Sequence, residues 1–216
     1  MNPELTFTLP AWQTAYGITD MMMHTMERYF SKDDDMETTD AIAEAILRTC
    51  MKEGPLALAN PTDYTCRANI MWAGTLAHND LTGCGTTGDW ATHNIEHELS
   101  GLFDVSHGAG LAAVWGSWAR YTRNENLPRF ARFAHNVMGI DTTNMSDMEA
   151  SETGIKAMEQ FFRSIGMPTD IHTLVGKDIT DAEIEEMAQK CTNGDTTTIG
   201  GLKILHAADI VKIYQM

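Results

Sequence analysis

Five side chains define the chemistry open to this sequence. Asp20 and His24 are four residues apart in a stretch of helical period, and His93 and His97 repeat that spacing further along. Residues four apart on a helix leave from one face a turn apart, so each pair can bring two ligand atoms to one point without distorting the backbone. His107 follows the turn after the second pair. Three imidazoles and one carboxylate drawn from this set make a nitrogen-rich site of borderline donors. Such a set suits Fe(II) or Zn(II) better than Mg(II) or Ca(II). Asp20 carries weight because its neighbours Ile18, Met21, Met22 and Met23 read as buried, and a buried carboxylate needs a cation. The remaining histidines, His78, His135, His172 and His206, read one by one as surface or satisfied core residues.

Other chemistries fit less well. His97-Glu98-Leu99-Ser100-Gly101 begins like the zinc-protease HExxH, but Gly101 stands where the second histidine must be. No adjacent His-Asp pair and no GxSxG elbow is present, and no cysteine lies close in sequence to a histidine partner. Gly83-x-Gly85-x-x-Gly88 matches the dinucleotide fingerprint letter for letter. That fingerprint works only between a strand and a helix N-terminus, and the preceding stretch from Ala68 to Asn79 reads as helix. A plain helix–helix loop is the expectation there.

The elements that must position these residues are helices. The first is signalled by Thr8-Leu9-Pro10 and runs to about Phe30, where Lys32-Asp33-Asp34-Asp35 marks its end. Thr39-Asp40 reads as the cap of a second helix, which Gly54-Pro55 closes. A third follows Asn60-Pro61-Thr62-Asp63, and Asp89 is the expected N-cap of a helix running through about Phe103. Helices are expected over 108–122, 127–139 and 147–165. Thr180 with Glu183 has the spacing of a capping box, Cys191–Gly201 reads as loop, and His206 to Tyr214 forms a last amphipathic segment. The expectation is an all-α fold, a multi-helix domain over 1–216 with short connections.

Composition narrows the partners. The chain has 216 residues, with 30 acidic against 15 basic for a net charge of −15, and is 43% hydrophobic. A surface this acidic repels phosphate backbones and anionic lipid, so nucleic acid and membrane surfaces are disfavoured. No apolar run approaches the roughly 20 residues that span a bilayer. Cys50, Cys66, Cys84 and Cys191 form no CxxC pair, which argues against a disulfide framework or zinc ribbon and for a cytoplasmic setting.

Several stretches together resemble the iron-containing (metal-dependent) alcohol dehydrogenase family, in particular its butanol dehydrogenase-like branch. They are Asn2-Pro3-Glu4-Leu5-Thr6-Phe7-Thr8-Leu9-Pro10 and Gly17-Ile18-Thr19-Asp20 with His24. Gly88-Asp89-Trp90-Ala91-Thr92-His93-Asn94-Ile95-Glu96-His97-Glu98-Leu99-Ser100 and Ser106-His107-Gly108-Ala109-Gly110-Leu111-Ala112 complete the set. The resemblance implies that Asp20, His24, His93 and His107 bind the divalent metal, while His97 lies beside substrate and nicotinamide and relays a proton. It implies a metal acting as Lewis acid on an alcohol or carbonyl oxygen during hydride transfer to or from NAD(P)(H). Only the C-terminal helical domain of the family is resembled. The expectation is therefore that the N-terminal dinucleotide-binding domain is absent and that the chain alone is incompetent. The partners so implied are a small alcohol or aldehyde, and a second copy of the chain meeting it through the face left exposed. The alternative is a non-catalytic metal-binding or interaction module.

Overall fold

A computed structural model describes residues 1–216. Its organising element is α1 (Ala11–Tyr29), whose Ile18, Met22, Met23 and Met26 are all at most 1% exposed. A helix apolar on more than one face is a central one, and α1 packs against α2 (Glu37–Ala59), α3 (Tyr64–His78) and α5 (His107–Thr122). The chain continues through α4 (Ala91–Phe103), α6 (Leu127–Asn136), α7 (Asp147–Ser164), α8 (Ile171–Val175), α9 (Asp181–Cys191) and α10 (Ala207–Tyr214). The sole strand-like pairing is an isolated bridge between Ile199 and Leu205. The fold is all-α, as the helical period implied. One continuous core joins α1–α3 to the aromatic layer of Phe30, Trp115, Trp118, Phe130 and Phe133.

Local signals were followed where a side chain had only its own helix to serve. Asp63 caps α3 by accepting from the Cys66 N–H at 3.0 Å, and the Thr180–Glu183 capping box opens α9. The glycine-rich stretch Gly83–Gly88 lies between α3 and α4 with no strand before it, so it is a helix–helix connection.

Helix α6 ends at Asn136, short of the expected 139, and three further boundaries differ from expectation. Helix α2 starts at Glu37, before Thr39-Asp40, because Asp40 turns inward to Arg129 of α6 (2.8 Å) and does not cap. The same helix passes through Gly54-Pro55 and ends at Ala59. Pro55 cannot donate to the Met51 carbonyl, a loss of about 3 kcal/mol in a helix interior. Against it, Gly54 lets α2 lie close on Ile18, where an added Cβ would come within 3.1 Å of Cδ1, and Ala57 is fully buried. Asp89 sits one residue before the α4 cap, Trp90, which takes a left-handed φ of 66°. Asp89 still serves α4, its Oδ1 accepting from the Ala91 N–H, while Oδ2 accepts from the Gly201 and Leu202 N–H groups and ties the C-terminal loop to the helix start. The short α8 and a 3-10 turn at Pro3–Thr6 had no periodic signal, being too short to carry one.

Candidate metal centre

Four helices deliver histidines to one region. Asp20 and His24 leave α1 from one face, His93 lies in the first turn of α4, His107 is the first residue of α5, and His78 is the last of α3. Asp20 Oδ1 faces three imidazole nitrogens: His24 Nε2 at 3.7 Å, His93 Nε2 at 3.7 Å and His107 Nε2 at 3.5 Å. Its other oxygen faces His78 Nε2 at 3.4 Å. Ligand atoms about 2.0–2.2 Å from one tetrahedral ion lie about 3.4 Å apart. Each nitrogen thus stands about as far from Asp20 Oδ1 as two ligands of one cation do, and the ligand atoms fall into two sets that share Asp20, one with His93 and His107 and one with His24 and His78.

Two buried glutamates set the rings. Glu27, 1% exposed on α1, accepts from both the backbone N–H of His93 (2.9 Å) and its Nδ1 (3.1 Å). One carboxylate thereby satisfies an open N–H in the first turn of α4 and orients the ring. Glu96, fully buried on α4, takes the Nδ1 hydrogen of His107 and the Ser100 hydroxyl. Gly110 makes room for it, since a Cβ there would come 2.7 Å from Glu96 Cγ. With both Nδ1 atoms held by carboxylates, both Nε2 atoms are turned to Asp20, and each becomes a lone-pair donor once it gives up its proton.

That arrangement leaves two buried polar atoms unpaired. Asp20 Oδ1 and His93 Nε2 are buried and face each other, and neither has a hydrogen-bond partner. Buried polar atoms are rarely left so, and the donor set fits a divalent metal of the borderline class. Burial pushes the Asp20 carboxyl upward, but His107, His93 and His24 outweigh it and hold the group well below the usual carboxylate range. Burial drives His24 down to about 4, so that ring is neutral at pH 7 and offers a lone pair. Contacts with Asp20 and then Glu96 lift His107 to about 9, so a proton and a metal compete for its Nε2.

Spacing alone left His97 and His107 as rivals; the structure separates them. His107 reaches Asp20, whereas His97 is exposed and stands beside it, its ring 5.4 Å from that of His107 and 6.3 Å from that of His93. His135, His172 and His206 lie elsewhere, His172 and His206 on nearby aspartates. His78 is exposed, as its surface reading has it, and it also faces Asp20 and lies 4.2 Å ring to ring from His24. Nothing in the sequence around it signals this, because the contact is made between α1 and the end of α3. Glu27 was legible in principle, seven residues after Asp20 on one helical face. A recess of about 330 Å³ opens onto Asp20 and His107 between Tyr16 and Ser106. The largest groove, about 630 Å³, lies away from the histidines, around an Arg120–Glu159 pair already closed at 2.6 Å.

Residues 14–216 match the family model described as Fe-containing alcohol dehydrogenase family, C-terminal. The chain belongs to this family. NADH-dependent butanol dehydrogenase A of Clostridium acetobutylicum is 40% identical across all of this chain and 54% of the relative. NADPH-dependent aldehyde reductase YqhD of Escherichia coli is 37% identical over 96% of this chain and 55% of its own. The substrate- and cofactor-free structure of YqhD superposes with a TM-score of 0.92 at 34% identity, covering 99% of this chain and 55% of that one. The chain thus spans about half the length of the curated relatives it matches, and it corresponds to the family's C-terminal, helical part. No helix is long and apolar enough to cross a membrane.

Proposed function

We propose that this chain is the metal-holding, substrate-side domain of an NAD(P)-linked alcohol or aldehyde oxidoreductase. Asp20, His24, His93 and His107 hold the ion, Fe(II) or Zn(II). The observation that carries the reading is the convergence of three Nε2 atoms on Asp20 Oδ1, two of their rings fixed from behind by Glu27 and Glu96. A divalent cation bound there supplies a Lewis acid for the alcohol or carbonyl oxygen of the substrate. The chain's own part is to orient and to move a proton. Tyr16, Gly17 and Ser106 line the recess through which a small alcohol or aldehyde reaches Asp20 and His107. His97, exposed next to His107, passes a proton between the substrate oxygen and solvent.

Hydride transfer needs the nicotinamide within about 3–3.5 Å of the substrate carbon. The helical fold has no strand–turn–helix unit to hold a dinucleotide. The chain by itself is therefore expected to give no aldehyde-dependent oxidation of NADH or NADPH, and to gain it when joined to a family nucleotide-binding half. Metal binding without any such gain would favour a non-catalytic metal-binding module.

Two variants probe the parts. Glu96→Gln is expected to weaken metal binding by about 10- to 100-fold, since the ring it orients loses its carboxylate acceptor; competition with a chromophoric chelator measures it, and unchanged affinity would count against the orienting role. His97→Ala, in the protein joined to a nucleotide-binding half, is expected to keep its metal and lose about 10²-fold or more in turnover. Full turnover in that variant would remove the relay.

A further inference from the structure

Three arginines are buried, and two of them hold a carboxylate. Arg28 meets Asp80 at 3.1 Å and Arg129 meets Asp40 at 2.8 Å. Arg67, 3% exposed on α3, has none, in a chain with 30 acidic side chains to draw on. Its Nε donates to the Pro61 carbonyl and one terminal nitrogen to the Thr14 hydroxyl, both at 2.9 Å. The second terminal nitrogen has no partner in the chain. Burial pulls the pKa of the group down from the usual arginine value. A guanidinium nevertheless keeps its charge, and a buried charge is costly until an anion meets it.

Arg67 and Thr14 are walls of a recess of about 320 Å³ between α1 and α3. Its open surface is largely apolar, with Leu9, Met21, Ile70 and Met71 along it. The recess also reaches His78, whose Nε2 lies 3.4 Å from Asp20 Oδ2. Gln13 and Gly17 belong both to this recess and to the one that opens on Asp20 and His107. Gly17 brings no side chain to that shared edge, and a Cβ there would meet only Met21 Cε, at 3.9 Å. The two recesses therefore adjoin at Gly17. Thr14 and Asp20 are six residues apart on α1, a rise of about 9 Å. An apolar trough with one fixed cation in its wall has the make-up of a site for a chain that ends in an anion.

We propose that the α1–α3 recess binds an aliphatic carboxylate, Arg67 taking the carboxylate and Leu9, Met21, Ile70 and Met71 the chain. The carboxylate accepts from the free terminal nitrogen of Arg67, while the Thr14 hydroxyl, accepting from the other, holds the guanidinium in place. A neutral chain of the same length lacks that charge-assisted bond and keeps only apolar contact. A second step rests on the oxidoreductase reading: the recess then selects aldehydes or alcohols that carry a carboxylate at the far end. The reactive oxygen lies at Asp20 and the carboxylate about 9 Å away along α1, at Arg67.

Calorimetric titration of the full chain, stripped of metal and dialysed, with hexanoate and with hexanol tests the site apart from any ion. The wild type is expected to bind hexanoate about tenfold or more tighter than hexanol, and Arg67→Met to bind the two alike. Met71→Trp fills the trough from a half-buried position on α3 and is expected to lose about tenfold or more in hexanoate affinity. It carries the test alone should Arg67→Met fail to fold, which circular dichroism checks. Equal binding of the two ligands by the wild type, or hexanoate binding that survives both substitutions, would overturn the proposal. In the protein joined to a nucleotide-binding half, adipate semialdehyde is expected to exceed hexanal in kcat/KM by about tenfold or more, and Arg67→Met to erase the difference. Equal kcat/KM in the wild type would overturn the substrate step and leave the carboxylate site standing. Arg67-dependent hexanoate binding with turnover of neither aldehyde would instead overturn the oxidoreductase reading, and the substrate step with it.

Discussion

Replacing Arg129 with methionine is expected to cost about 3–5 kcal/mol of folding stability, the range for breaking a buried ion pair by removing one partner. Arg129 is 5% exposed and Asp40 2%. One guanidinium nitrogen donates to both Asp40 Oδ1 (2.8 Å) and the Tyr29 carbonyl (2.9 Å), and the other donates to the Asp33 carbonyl. A single side chain of α6 therefore holds the end of α1, the acidic connection after it and the start of α2. Methionine fills the volume and leaves those oxygens without a donor. Asp40 keeps only Arg132, at 3.6 Å from its other oxygen. Because the charge left behind is the main cost, Arg129→Met combined with Asp40→Leu is expected to be clearly more stable than Arg129→Met alone. Urea denaturation of the three variants measures this. A single variant within about 1 kcal/mol of wild type would contradict the clamp, since that is the scale of an exposed pair.

Gly108→Ala is expected to damage stability and metal binding together. Gly108 lies in the first turn of α5, beside His107, where that helix crosses α1. An added Cβ would come 2.8 Å from the Tyr16 Cα and closer still to the Tyr16 carbonyl oxygen. Neither atom can swing aside, as both belong to the backbone of α1. Overpacking of this kind costs about 1–3 kcal/mol and moves helices apart. Moving α5 from α1 moves His107 from Asp20, whose 3.5 Å spacing is set by that crossing. Gly101, with open space around it, is the matched control: Gly101→Ala meets nothing within 4 Å. Chelator competition and thermal unfolding on both variants should separate them, with loss of affinity and Tm in Gly108→Ala only. A Gly108→Ala chain that binds metal as wild type would show that the close crossing does not position the site.

The parts of the fold legible in the sequence were those a helix decides for itself. The apolar stripes of α1, the Asp63 cap and the Thr180–Glu183 box depend on neighbours within a few residues. The misreadings fall where a residue was taken up by another element. Asp40 has the chemistry of a cap and is spent on Arg129, and Pro55 is carried inside α2 by the packing of Gly54 on Ile18. The site divides the same way. The i, i+4 pairs could be read as two faces, but the choice of His107 over His97 as neighbour of Asp20 came from resemblance and from tertiary geometry, never from spacing. Glu96 lay unnoticed between two histidines, and its meaning depends on Gly110 opening a gap across α4 and α5. His78 had no local signal at all, since only the crossing of α3 and α1 brings it to Asp20.

The most direct test of the metal centre is the metal content of the chain purified without chelator, by elemental analysis, for wild type and His24→Ala side by side. The arrangement around Asp20 predicts near-stoichiometric iron or zinc in the wild type and its loss in the variant. A wild type without metal, or a His24→Ala chain that retains it in full, would contradict the account.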